Sequence, residues 1–178
     1  MRFLLIFKEI DLQISRFCNQ LAVKLKLLRQ GFKLITNLGN WWIFPIIGFI
    51  LFCINSSKGY EIIKFGTIGF TFQYPIYYFI KNTSKRKRPF NRDDIQSFIS
   101  PPDKFSLPSG HTSSSTLSSL IIMNIFQGLF PLIIIWPILV GLSRVVLGVH
   151  YLSDVITGCL LGILSYNFSI LFFNFFIL

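Results

Sequence analysis

The feature that most restricts this chain is a series of apolar runs, each approaching the roughly 20 residues a helix needs to cross a bilayer. They extend from Leu38 to Ile54, Tyr60 to Ile80, Ser109 to Phe126, Leu129 to Gly148, and from His150 to the end. In hydrocarbon every backbone N–H and C=O must be satisfied within the protein, so runs of this kind become helices. The expected fold is all-α: a single-domain integral membrane helical bundle of about five transmembrane helices. With 52% hydrophobic, 17% aromatic and only 13% charged residues among 178, and a mean hydropathy of +0.61, too little polar surface is left for a soluble domain. Trp41 and Trp42 open the first run at the expected interface. Gly66 and Gly69 in the second run, and the Gly158-x3-Gly162 pair in the last, allow close helix contact, and Pro137 predicts a kink in the fourth.

Residues 1–33 differ in character. Phe3, Phe7, Ile10, Ile14, Phe17, Leu21, Leu25 and Leu28 recur at alternating three- and four-residue spacing, with Lys8, Glu9, Asp11, Arg16, Asn19, Lys24, Lys26 and Arg29 on the other face. That pattern predicts an amphipathic helix lying in the membrane plane with its apolar side in lipid. The short apolar stretch after Arg2 lacks a small-residue cleavage site, so the helix is expected to be retained.

The net charge of +10 favours anionic head groups or phosphorylated substrates as partners. Nucleic acid is not expected, because the aromatic residues sit at membrane depth and not among the cations. Cys18, Cys53 and Cys159 are scattered, with no spacing that suggests a metal site.

The one long polar stretch, residues 81–110, holds seven Lys/Arg, three Asp and Pro101-Pro102, and must lie outside the hydrocarbon. Counting crossings brings three polar groups to one face: Lys81 at the end of the second run, the Pro108-Ser109-Gly110-His111 opening of the third, and the return of the fourth at Arg144 and His150. The hydroxyl-rich segment Thr112 to Ser119 is expected to face protein or water.

Each group has a structural alternative. Lys85 and Lys87 read best as a basic patch for anionic lipid, Ser109 could be a simple N-cap, and His111 an interfacial histidine. Asp93-Asp94 is the one carboxylate pair able to recruit Mg²⁺, although adjacent acids in a basic loop are more often charge balance. The functional reading rests on coincidence, since the chain has only two histidines and each falls in a polar motif on the same face. A helix N-terminus at Gly110 offers free N–H groups to an anion, and Arg144 offers a planar fork of donors. Asp154, four residues after His150, can fix which ring nitrogen carries the proton. Two imidazoles and several cations around one oxyanion are suited to metal-independent phosphoryl transfer.

Three motifs carry a further implication. Lys81-x6-Arg88-Pro89, Pro108-Ser109-Gly110-His111 and Ser143-Arg144-x5-His150-x3-Asp154 resemble the signature motifs of the type 2 phosphatidic acid phosphatase family, related to vanadium haloperoxidases. The resemblance covers about Gly39 to Gly162. It implies a lipid phosphatase in which His150 is the nucleophile that forms a phosphohistidine, Asp154 its orienter and His111 the general acid and then base. Lys81, Arg88, Ser109, Gly110 and Arg144 would bind the phosphate, with neither metal nor cofactor. Substrates of that family include undecaprenyl diphosphate, phosphatidylglycerophosphate, phosphatidic acid and lipid A. A phosphotransferase using the same site, or a non-catalytic binder of anionic lipid, are the alternatives.

Sidedness is pulled two ways. Fifteen Lys/Arg fall on the face of the motifs against two, Lys58 and Lys64, on the other, which the positive-inside rule would place in the cytoplasm. Resemblance to bacterial members implies the opposite, a protein of the inner membrane with an extracytoplasmic site. Because Lys81, Arg88 and Arg144 are accounted for by chemistry, the outward orientation is the expectation.

Overall fold

In a computed structural model the chain is a bundle of helices. The structure describes residues 2–92 and 94–176, with the side chains of residues 2–5, 7 and 129–132 left out. Asp93, and the side chains of Phe3, Phe7 and Pro131, therefore lie outside the described residues. The elements are α1 (Arg2–Lys24), α2 (Lys26–Asn37), α3 (Ile43–Ile54), α4 (Ser56–Ser84), α5 (Gly110–Ile125), α6 (Phe130–Val146) and α7 (Leu152–Phe176), with short 3-10 turns at Pro89–Asn91 and Gln127–Leu129. Among the described residues there is no strand.

Of these helices α7, with 25 residues, is by itself long and apolar enough to cross a membrane. The 29-residue α4 is longer, about 44 Å at 1.5 Å per residue, but polar at both ends. By the same measure the 12-residue α3 reaches only about 18 Å.

Glycine contacts hold the bundle together. A Cβ on Gly158 would stand 2.5 Å from the Ser109 carbonyl oxygen, and one on Gly162 2.7 Å from that of Ser113, so α7 lies directly on the first turns of α5. Gly66 admits the Phe44 ring of α3, and Gly69 the Leu117 side chain of α5. Around them Phe44, Ile62, Leu117 and Ile121 form the apolar core. As expected, every residue from Thr112 to Ser119 is buried against protein.

The N-terminal region departs from the sequence reading in two ways. It forms two helices, broken at Leu25, whose backbone leaves the helical region (φ −109°, ψ 88°). The face that α1 turns to the protein is also the polar one: Asp11, Leu12, Ser15, Asn19 and Ala22 are buried, whereas Ile10 and Phe17 are 50% and 64% exposed. The Asn19 side chain binds the Gln96 N–H and carbonyl and reaches the Val146 carbonyl. Periodicity located the apolar stripe, of which Ile10 and Phe17 point away from the bundle while Ile14 and Leu21 are half-buried, because Asp11, Ser15 and Asn19 supply hydrogen-bonding groups to the neighbouring segments.

A second departure concerns the third motif. His150 and Asp154 do not share a helix. α6 ends in a Schellman turn, with the Val149 N–H bonded to the Arg144 carbonyl at 3.2 Å and the Gly148 N–H to the Val145 carbonyl at 3.0 Å. Gly148 takes φ +79°, and a Cβ there would meet the Gln96 carbonyl at 2.3 Å, so only glycine fits. The His150 N–H shares the Arg144 carbonyl at 3.2 Å, which folds His150 back over the end of α6.

Candidate active site

The polar residues singled out from sequence converge where the α4 end, the α5 start, the α6–α7 turn and the loop meet. Lys81, Arg88, Ser109, Arg144, His150 and Asp154 are all buried there, with Arg88 and Arg144 each 1% exposed. Arginines so far from water require anionic or hydrogen-bonding partners.

Arg88 joins the groups. Its Nη1 donates to the Val149 carbonyl at 2.7 Å and lies 3.3 Å from His150 Nε2, while Nη2 meets Asp103 Oδ1 at 2.5 Å. Lys81 Nζ, from the last turns of α4, reaches both Asp103 oxygens at 2.8 Å and the Tyr77 hydroxyl at 2.7 Å. Tyr77 in turn donates to Asp103 at 2.6 Å. Burial pushes the Asp103 carboxyl up, but the Lys81 and Tyr77 hydrogen bonds and the charges of Lys81 and Arg88 outweigh it and hold it below 3.8. Asp103 is therefore an anion seated among the cations assigned to phosphate.

Arg144 is bound at one nitrogen only, Nη1 to the Thr36 hydroxyl of α2 at 2.7 Å. Its Nε and Nη2 are buried without a partner. Two orphaned charged donors at such depth are costly unless an oxyanion completes them.

His150 lies in the turn between α6 and α7, at the polar end of the bundle. Its Nδ1 stands 3.6 Å from Asp154 Oδ2, longer than a formed hydrogen bond, and has no other partner. A proton on Nδ1 faces the carboxylate, which leaves the Nε2 lone pair toward Arg88. Burial lowers the imidazole from 6.5 to about 4; Asp154 opposes this and the Arg144 and Arg88 charges add to it. At neutral pH His150 is an uncharged base.

Asp154 has several hydrogen-bond partners. At the third position of α7 its Oδ2 accepts the Tyr151 N–H at 2.8 Å, the reach-back of a capping box, and a bond from the Ser106 hydroxyl. Its Oδ1 accepts from Arg86 Nη1 at 2.7 Å. Arg86 also reaches Ser153 and Asp11 at 2.6 Å each and stacks on the Tyr151 ring at 4.1 Å. Asp11, on α1, caps the start of α7 through the Ser153 N–H at 3.0 Å.

At the start of α5, Ser109 acts as the N-cap: its hydroxyl contacts that of Thr112 at 2.9 Å and the Thr112 N–H at 3.5 Å. The N–H groups of Gly110 and His111 meet no carbonyl, as expected for the first turn of a helix. His111 packs beside Gly39, whose Cβ position lies 3.0 Å from the His111 Cβ. It lines the same cavity as Lys81 and Asp103.

Sequence reasoning missed Asp103, Arg86, Asp11, Tyr77 and Thr36. A lone Asp two residues after Pro101 carries no motif, and Arg86 was hidden in a basic run where the lipid-patch reading was preferred. Arg86 lies 75 residues from Asp11, beyond any local spacing.

A cavity of about 960 Å³ adjoins this cluster, lined by Lys81, Asp103, Gly110 and His111 and by aromatic rings that include Trp41, Trp42, Phe70 and Tyr74. These features define a helical bundle with a cluster of buried cations and two histidines at one end. The sequence model of the PAP2 superfamily matches residues 65–177, and the chain belongs to that family.

Relatives agree with this placement. The chain is 37% identical over 79 residues to a decaprenylphosphoryl-5-phosphoribose phosphatase of Mycolicibacterium smegmatis, covering 44% of this chain and 42% of that protein. To the enzyme of the same name from Mycobacterium tuberculosis it is 39% identical over 84 residues, or 47% and 45% of the two chains. It thus spans less than half the length of these relatives. The crystal structure of Aquifex aeolicus LpxE superposes with a TM-score of 0.74 at 22% identity, covering 89% of this chain and 93% of that one. A PAP2-type phosphatidylglycerolphosphate phosphatase from Bacillus subtilis gives 0.73 at 24% identity, covering 95% and 87%. These two likenesses show the fold.

Proposed function

We propose that the chain is a lipid phosphatase that works without a metal through a phosphohistidine. The observation that carries this reading is the pair of buried, unpartnered donors on Arg144 beside an uncharged His150. Together with Arg88, Lys81 and the free N–H groups of Gly110 and His111, they form a donor set that suits phosphoryl oxygens.

In the first step His150 Nε2 attacks phosphorus, the bond from phosphorus to the lipid oxygen breaks, and His111, protonated when the negative charge of the phosphate is bound beside it, gives its proton to the departing oxygen. Asp154, held by Arg86, Ser106 and the Tyr151 N–H, balances the positive charge that forms on the His150 ring. In the second step water attacks the phosphohistidine and loses a proton to His111, and the P–N electron pair returns to Nε2. Ser109 supports the cradle as the cap that orients the first N–H groups of α5.

Phosphatidic acid, phosphatidylglycerophosphate, lipid A, undecaprenyl diphosphate and, from the names of the mycobacterial relatives, a lipid-linked sugar phosphate are the candidate substrates. We read α3 to α7 as crossing segments and α1–α2 as an in-plane pair, all within one domain, 1–178, whose residues 81–110 form the catalytic-face loop. Orientation with an extracytoplasmic face at a bacterial inner membrane rests on the resemblance to bacterial members of the family, against the charge count of the positive-inside rule.

The test is phosphate release from these lipids in EDTA. Release should be inhibited by vanadate and abolished in His150→Ala; a His150→Ala protein working at full rate refutes the proposal.

A further inference from the structure

The cavity is lined by a buried amide, Gln73, that the reaction does not use. Gln73, Tyr77 and Lys81 are four residues apart on α4 and all line the cavity, so they stack along one face. Gln73 therefore lies about 12 Å along the helix from Lys81, deeper in the membrane. It is 5% exposed, and its Oε1 is buried without a hydrogen-bond partner. On the facing helix Ser114 lines the same cavity, one turn in from Gly110 and His111. The lining also includes the aromatic rings of Trp41, Trp42, Phe70 and Tyr74.

A buried amide oxygen without a partner at membrane depth is unfavourable, and polar groups retained there mark binding sites. Resting on the phosphatase reading above, we propose that Gln73, with Ser114, is a second polar subsite that binds the linkage between phosphate and hydrocarbon. An amide offers both a donor and an acceptor, so it matches hydroxyl, ester or sugar oxygens. A phosphate attached directly to a prenyl chain offers nothing at that depth but methyl and methylene groups. The site thus selects lipids whose phosphate is held away from the tail by an oxygen-bearing linker, either a glycerol ester or a sugar.

The experiment uses the full chain in mixed micelles with three substrates: phosphatidic acid, a lipid-linked sugar phosphate, and a polyprenyl monophosphate. Gln73→Leu should raise KM about tenfold for a linker-bearing lipid, the equivalent of one lost hydrogen bond, and leave the prenyl phosphate within about twofold. Which linker-bearing lipid responds distinguishes glycerol ester from sugar. Ser114→Ala, a small change on the other helix, should show the same selectivity and guards against a misfolded Gln73 variant. Equal losses on all three lipids, or no change on any, overturn the subsite while wild-type phosphate release still supports the phosphatase reading. No release from any lipid by the wild-type chain defeats both.

Discussion

Asp103→Ala is the most informative perturbation, because the carboxylate occupies cations that a phosphate needs. Lys81 and Arg88 are 4% and 1% exposed, and Asp103 neutralises both through contacts of 2.8 and 2.5 Å. Removing one partner of a buried pair costs about 3–5 kcal/mol; the Asp103 side chain is 29% exposed, which puts the loss near the lower figure. For a chain of this length that is a fall in melting temperature of roughly 6–12 °C. The same change frees the two cations for an incoming oxyanion. In the wild type vanadate must displace the carboxylate from both, whereas in Asp103→Ala it displaces nothing. One charge-assisted bond no longer contested corresponds to at least about tenfold tighter vanadate binding.

The assay is thermal unfolding of the purified protein across a vanadate titration at neutral pH, since a ligand that binds only the folded state raises its stability with concentration. The variant should melt lower without vanadate and gain more from it. Weaker vanadate binding in Asp103→Ala would refute the argument and make Asp103 a support that holds the cations in place. Sign and pH range follow from the depressed carboxyl. Stability from this group is present above its unfolded value of 3.8 and is lost as pH falls through the lower folded value, so wild type and variant should differ at pH 6 and converge in strong acid.

Four further outcomes are expected. In a tag-free His111→Gln protein the one remaining imidazole is His150, and its NMR signals should stay neutral from pH 7 to below pH 5; a midpoint near 6.5 would show that burial does not control it. That depressed value also means acid destabilises: the unfolded chain takes up a proton between 6.5 and about 4 that folded His150 refuses, so stability is full above this window and falls within it. Arg86→Gln leaves the buried carboxylates of Asp11 and Asp154 without their shared cation; about 3 kcal/mol of stability should be lost and kcat should fall more than KM rises, measured by melting and steady-state phosphate release. Gly148→Ala meets both the positive φ and the Gln96 carbonyl, and should lower stability by at least about 1–2 kcal/mol in a denaturant or thermal melt, where an unchanged midpoint would contradict the Schellman geometry.

What could be read in advance follows from the range of the forces involved. The cations and imidazoles were legible because their spacing is a matter of chain geometry: crossings decide which ends share a face, and Lys81, Arg88, His111 and Arg144 all fall at such ends. The turn at Gly148 was legible in principle, since glycine six residues before a helical acid is a stop signal as much as a small spacer. Reading the segment as one helix concealed how His150 is held. Asp103 and Arg86 were not legible, because their partners are set by packing of distant segments. For α1 the period gave the two faces but not their neighbours; Asp11, Ser15 and Asn19 looked like a solvated side until a loop with unsatisfied polar groups was placed against them.

The packing of α1 has a consequence for how Asp154 is held. Ile10, Phe17 and Val23 on its outer side are all at least 46% exposed, and on its inner side the Asp11 carboxylate binds Arg86 and the Ser153 N–H. The N-terminal helix is thereby tied to the start of α7, so a displacement of α1 would strip one partner from the guanidinium that also holds Asp154.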